Sequence, residues 1–120
     1  MSNALVHTAI IDTKNMAELA KFYQQAFGWD EPTPAGPQHV GWQFPNLYFG
    51  FDQVEKTINH PGAVSLWFAV DDLQATFDLL VEMGARVHYE PVKKYWGAVL
   101  AAVYDPDGNL IGLTQREEGD

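Results

Sequence analysis

Apolar and polar positions along this chain follow two periods, and the periods alternate in the same order twice. Residues 5–11 are apolar and partly β-branched, which predicts a strand. Asn15 and Glu18 then have the Asn-x-x-Glu spacing of a capping box, which marks a helix start. Met16, Leu19, Ala20, Tyr23, Ala26 and Phe27 recur at helical spacing and form one apolar stripe. Gly28 is placed to end this helix as its C-cap. Pro32, Pro34, Gly36 and Pro37 predict a loop, followed by strands over residues 39–44 and 47–51 that join at Pro45-Asn46. The sequence then starts again. Residues 64–70 read as a strand, Asp71 or Asp72 as the cap of a helix with the stripe Leu73, Phe77 and Leu80, and Gly84 as its end. Strands follow over residues 86–90, 97–104 and 110–115. A strand–helix–strands unit used twice predicts a duplicated α+β fold, with a helix covering one face of each sheet.

Strand alternation sorts the side chains by face. Val64, Leu66, Phe68 and Val70 form an apolar face for the helix, and Ser65, Trp67 and Ala69 point the other way. Val40, Trp42 and Phe44 continue onto Leu47, Phe49 and Phe51, which leaves His39, Gly41, Gln43, Tyr48 and Gly50 on the opposite face. In the last strand Ile111 and Leu113 oppose Leu110, Gly112 and Thr114. If the faces away from the helices curl together, they enclose a pocket lined by Gln43, Tyr48, Ser65, Trp67 and Thr114, the mixture of aromatic walls and few polar groups found in small-molecule sites.

Asp105-Pro106-Asp107-Gly108-Asn109 is a turn in which Pro presets φ and Gly takes the positive-φ position. Combined with Leu19-Ala20-x-Phe22-Tyr23, Phe27-Gly28-Trp29, Phe68-x-Val70-Asp71-Asp72-Leu73, Gly84-Ala85 and Trp96-Gly97, it gives an order of motifs that spans nearly the whole chain. In that order the sequence resembles the vicinal oxygen chelate superfamily of glyoxalases, bleomycin-resistance proteins and extradiol dioxygenases. The resemblance implies one domain over residues 1–120, made of paired βαβββ modules curled around a cleft. The first module covers about residues 4–52, the linker about 53–62 and the second module about 63–116. It also implies a homodimer. Enzymes of the superfamily typically hold a divalent metal through four side chains, and the four positions fall here on or near His7, near Gly50, on Ser65 and on Gly112. Two glycines offer no donor, and serine is a weak ligand for such metals.

Bulk properties narrow the class further. No stretch approaches the ~20 apolar residues of a membrane span, and Met1-Ser2-Asn3-Ala4 lacks the basic and apolar regions of a secretory signal. With no cysteine there is no disulfide or thiolate chemistry, which suits a cytoplasmic protein. A net charge of −9 makes nucleic acid a poor partner and is compatible with a cationic ligand. The tail Glu117-Glu118-Gly119-Asp120 reads as a frayed end.

The residues that carry the candidate site are therefore His7, Gln43, Tyr48, Ser65, Trp67, Trp96 and Thr114. His7 is the one strong donor at the four metal positions, and one imidazole does not hold a catalytic metal. It reads as a pocket-lining or packed ring, and no cofactor is expected. Trp67 either lines the pocket, or plugs the cleft or packs in a dimer interface, and Trp96 either borders the pocket mouth or packs beside the turn. His39, His60 and His88 read as exposed, and Asn59-His60-Pro61 as a turn. The leading expectation is a metal-independent, sequestration-type binder of a small aromatic or cationic molecule. The alternatives are a lyase, isomerase or dioxygenase with a relocated metal site or with His7 as general base, and a dimeric module that binds a protein partner.

Overall fold

Strand and helix alternate as the two periods require. In the computed structural model, which describes residues 6–55 and 65–116, the chain divides into two units, Met1–Asn59 and His60–Asp120. The first contains β1 (Thr8–Thr13), α1 (Met16–Phe27), β2 (Thr33–Pro34), β3 (His39–Gln43) and β4 (Tyr48–Gln53). The second contains β5 (Leu66–Val70), α2 (Leu73–Glu82), β6 (Arg86–Lys93), β7 (Val99–Tyr104) and β8 (Leu110–Gln115). Each unit is thus a βαβββ module, and the fold class is the expected α+β. The sheet orders, β1-β4-β3-β2 and β5-β8-β7-β6, correspond strand for strand. In each module the first strand pairs in parallel with the last, and the other pairs are antiparallel.

The cores sit where the periodic stripes meet the sheets. Leu19, Ala20, Tyr23 and Ala26 of α1 are buried with Trp42, Phe49 and Phe51, and Tyr23 lies 5.5 and 5.2 Å from the Phe49 and Phe51 rings. Trp29, just past α1, meets Trp42 and Phe44, each at 4.9 Å, so it closes the aromatic cluster at the helix end. In the second module Leu73, Phe77 and Leu80 are buried with Ala101, Val103, Ile111 and Leu113. Each large apolar side chain taken out of water this way stabilises the fold by roughly 1.5–3 kcal/mol.

Several boundaries differ from the sequence pattern. β1 runs Thr8–Thr13 instead of over residues 5–11, because parallel pairing continues past the apolar run through Asp12↔Asp52 and Thr13↔Gln53. For the same reason β4 reaches Gln53, a residue assigned to the linker. The proline-rich loop contains β2, a two-residue edge strand that tolerates Pro34 because an edge position does not need every N–H. β6 extends to Lys93 through Pro91, again at a sheet edge, with register shifts between Val87 and Tyr89 and between Tyr89 and Val92. β7 starts at Val99, since Gly97, at φ 99°, belongs to the preceding turn. Leu5, Val64, the 59–61 turn and the 117–120 tail lie outside the described residues.

The helix starts rest on a device that the sequence reading missed. The Asn15 side chain does not cap α1. Instead Gln53 Oε1 accepts from Met16 N–H at 2.9 Å while its Nε2 donates to Lys14 O at 2.6 Å. Gln115 repeats this in the second module, accepting from Leu73 N–H at 2.9 Å and donating to Asp71 O at 2.6 Å. The last strand of each module thereby clamps the start of its helix, supplying an acceptor to a donor that the helix itself leaves unpaired. Asp72 is the N-cap of α2, and its Oδ1 accepts from Ala75 N–H at 3.1 Å. Gly28 ends α1 in the left-handed region at φ 68°, as expected.

Candidate functional site

Alternation leaves one face of each sheet turned away from its helix. On the N-terminal sheet the Phe44–Leu47 turn, closed by Phe44 N–H donating to Leu47 O, sets the register outward: Gln43↔Tyr48, Gly41↔Gly50 and His39↔Asp52. His39 is held at both ring nitrogens. Its Nδ1 lies 2.5 Å from Asp52 Oδ1 and its Nε2 lies 2.6 Å from the Tyr48 hydroxyl. An ionised carboxylate only accepts, so in the neutral imidazole Nδ1 carries the proton and Nε2 accepts from the Tyr48 O–H. The two rings are nearly parallel, inclined by only 20° with centroids 5.6 Å apart, and the hydrogen bond joins them into one plate.

Glycine makes the plate possible. A Cβ on Gly41 would lie 2.2 Å from the Tyr48 hydroxyl oxygen, and one on Gly50 would lie 3.0 Å from His39 Cε1 and 3.1 Å from Tyr48 Cε2. The glycine pair is thus the floor on which the rings rest. Burial, and then the negative charge of Asp52, push the Tyr48 hydroxyl above its ordinary value of 10.0, so the phenol is neutral near neutral pH.

The C-terminal sheet puts other chemistry on the same scaffold. The Trp67 ring lies over Gly112, where a Cβ would be 2.0 Å from Trp67 Cδ2. Trp67 Nε1 donates to Ser65 Oγ at 3.0 Å, and the indole remains 42% exposed. Thr114 shares this face, opposite Ala69 on β5 and Leu100 on β7. Nearby, the Arg86 guanidinium sits 4.1 Å over the Tyr104 ring, whose hydroxyl is 2.9 Å from His88 Nδ1.

Of the residues singled out from sequence, Gln43 and Tyr48 are cross-strand partners in one module, and Ser65, Trp67 and Thr114 share one sheet face in the other. His7 meets the first group through its backbone, its carbonyl accepting from Tyr48 N–H at 2.9 Å, and Trp96 lies on the β6–β7 turn. His7 is exposed and precedes β1, with its Nδ1 2.5 Å from Thr8 Oγ1. Since Ile10 pairs with Gly50 as Trp67 pairs with Gly112, the counterpart of Ser65 is Thr8, not His7. Trp96 is 58% exposed at the β6–β7 turn, edge-on to Tyr95 at 4.8 Å. His39 and Asp52 were missed as site residues, and His39 is half-buried where exposure was expected. Counting strand pairs outward from the Pro45-Asn46 turn would have found them.

Paired βαβββ modules with a helix on one face of each sheet define the class of protein. The chain belongs to the glyoxalase-like domain family, whose model matches residues 8–114. No curated protein matches the chain in sequence. Solved structures share its fold. A glyoxalase-related enzyme from Fulvimarina pelagi aligns with a TM-score of 0.79 at 20% identity, covering 93% of this chain and 88% of that one. A glyoxalase/bleomycin resistance protein from Albidiferax ferrireducens T118 gives 0.76 at 20%, covering 94% and 98%. A glyoxalase/bleomycin resistance protein/dioxygenase family enzyme from Burkholderia phytofirmans PsJN gives 0.74 at 23%, covering 93% and 98%.

The divalent metal that the superfamily resemblance implies does not fit the residues present. Thr8 and Ser65 bring hydroxyls, and the Ser65 oxygen accepts from Trp67. Gly50 and Gly112 bring no donor, and aromatic rings occupy the space a side chain would need there. Among the described residues no three His, Asp or Glu side chains gather closely enough to hold an ion.

Proposed function

We propose that this protein binds a small, ring-containing molecule by sequestration, without a bound metal, and works as a homodimer in the cytoplasm. The observation that carries this reading is that Gly50 and Gly112 lie beneath the His39–Tyr48 plate and the Trp67 indole. Positions suited to ligating side chains are given to flat aromatic surfaces, which bind by stacking. Family membership supports a small molecule as the partner. The experiment has two arms. Metal content is measured on protein purified without chelator or metal-affinity tag, and a panel of aromatic and cationic compounds is then titrated against tryptophan fluorescence. The expected results are no stoichiometric metal, and saturable quenching that is lost in Trp67→Ala. One tightly held divalent ion per chain would overturn the proposal.

A further inference from the structure

The His39–Tyr48–Asp52 chain does more than fix a flat surface. We propose that it is a proton-accepting recognition site for a weakly acidic, planar hydroxyl compound, a phenol or an enol, that binds in its neutral form and gives its proton to His39 through Tyr48. The inference rests on the small-molecule reading above and names the ligand class for the N-terminal sheet.

Hydrogen-bond directions carry the argument. With His39 neutral, Asp52 accepts from His39 Nδ1–H and Tyr48 O–H donates to Nε2 across 2.6 Å. The Tyr48 oxygen therefore offers lone pairs to an incoming group, and what it recognises is a donor. When a ligand O–H donates to that oxygen, its proton can move onto Tyr48 as the Tyr48 proton moves onto Nε2. One ligand O–H bond and one tyrosine O–H bond break; one new tyrosine O–H bond and one N–H bond form. The products are the ligand oxyanion, neutral Tyr48, and imidazolium held against the Asp52 carboxylate. No electrons change hands and no co-reactant is needed.

The terminal acceptor sets the acidity of the ligand. An imidazole takes protons from groups that ionise near neutral pH, so an aliphatic alcohol is too weak a donor while many phenols and enols match. The charges set its arrival state. Asp12 and Asp52 are cross-strand partners on this face, and none of the four strands β1, β2, β3 and β4 contains a lysine or arginine. An anion meets repulsion there, whereas a neutral hydroxyl does not. The flat plate on its glycine floor sets the shape, since a planar molecule covers it best.

para-Nitrophenol tests this directly, because its phenolate absorbs at longer wavelength than the phenol. It is titrated into the full chain at a pH where the free probe is mostly protonated, with binding read separately by tryptophan quenching. The expected result is a saturating phenolate band in the wild type. In His39→Gln and Tyr48→Phe the phenolate fraction of the bound probe falls at least about tenfold, the ratio carried by one pH unit of acidity. In Asp52→Asn the band persists, but the pH at which half the bound probe is phenolate rises. A bound probe that stays protonated in the wild type overturns the relay and leaves sequestration standing, as does a band that survives in His39→Gln. Failure of the probe to bind overturns the ligand class. If the wider aromatic panel also fails, the small-molecule reading falls with it. The wild-type spectrum decides the matter even if a variant does not fold.

Discussion

The two modules share a scaffold and differ in what they place on it. Gly50 and Gly112 occupy matching positions in the last strands, and Gln53 and Gln115 make matching clamps. Around these fixed points the chemistry diverges. Tyr48, Asp52 and His39 of the first module correspond by register to Leu110, Thr114 and Leu100 of the second, and Ile10 corresponds to Trp67. One face is acidic and built on the His39–Tyr48–Asp52 hydrogen bonds, and the other carries the Trp67 indole with Ser65, Thr114 and the Arg86–Tyr104 pair. The residues toward the helix and at the strand ends define the module, while those on the opposite face are free to specialise. Family membership is therefore written in the first set of residues and ligand choice in the second.

The glycines separate the modules most sharply. Gly50→Ala should cost about 3 kcal/mol, the upper end for overpacking, because its Cβ would meet the Val40 carbonyl at 2.7 Å and backbone cannot step aside. Gly112→Ala should cost less, about 1 kcal/mol, because the half-exposed Trp67 ring can swing outward. Denaturant unfolding measures both, and a red-shifted emission in Gly112→Ala would report the displaced indole. Equal costs would show that the two floors are equally rigid.

The turns before the last strands should differ next. Asp105 is buried, and its Oδ1 accepts from Asp107 and Asn109 N–H while Oδ2 accepts from Asn109 Nδ2, all at 2.9 Å. Asp105→Ala should cost about 2 kcal/mol, since backbone donors lose their acceptor. Asn46→Ala, in the corresponding turn of the first module, should fall within about 0.5 kcal/mol of wild type.

The clamps test the likeness instead of the difference. Gln53→Ala and Gln115→Ala should each cost about 1 kcal/mol, as for loss of a helix cap. Unequal values would mean that the Asp72 cap of α2 compensates for Gln115.

The smallest effect is the alkaline response. The Tyr48 hydroxyl is raised above 10.0 in the fold by burial and then by Asp52, so the neutral phenol is the form the fold favours. Its contribution is complete below the ordinary value and is lost as pH rises through the folded value. Thermal melting above about pH 10 should therefore fall more steeply for the wild type than for Tyr48→Phe.

The sequence made the helix stripes legible because Leu19, Tyr23, Phe77 and Leu80 have no other way to leave water. It made the face of Tyr48, Gln43 and Trp67 legible because side chains alternate strictly along strands. It hid β2 and the far end of β6, where Pro34 and Pro91 read as loop although edge pairing tolerates them. It hid the ends of β1 and β4 because Asp12 and Gln53 are polar, and pairing there depends on a partner strand remote in sequence. The His39–Asp52 pair was missed because composition and periodicity do not carry register, which has to be counted outward from the Pro45-Asn46 turn.

The clamp of Gln53 on Met16 N–H has a consequence for how the module opens. The start of α1 and the end of β4 are tied to each other, and Thr13 beside them pairs with Gln53 through the backbone. Fraying of the helix end then requires breaking the seam between the first and last strands. Amide hydrogens near Met16 and along β1 should accordingly exchange with solvent in one cooperative event, as a single foldon whose members lie far apart in sequence.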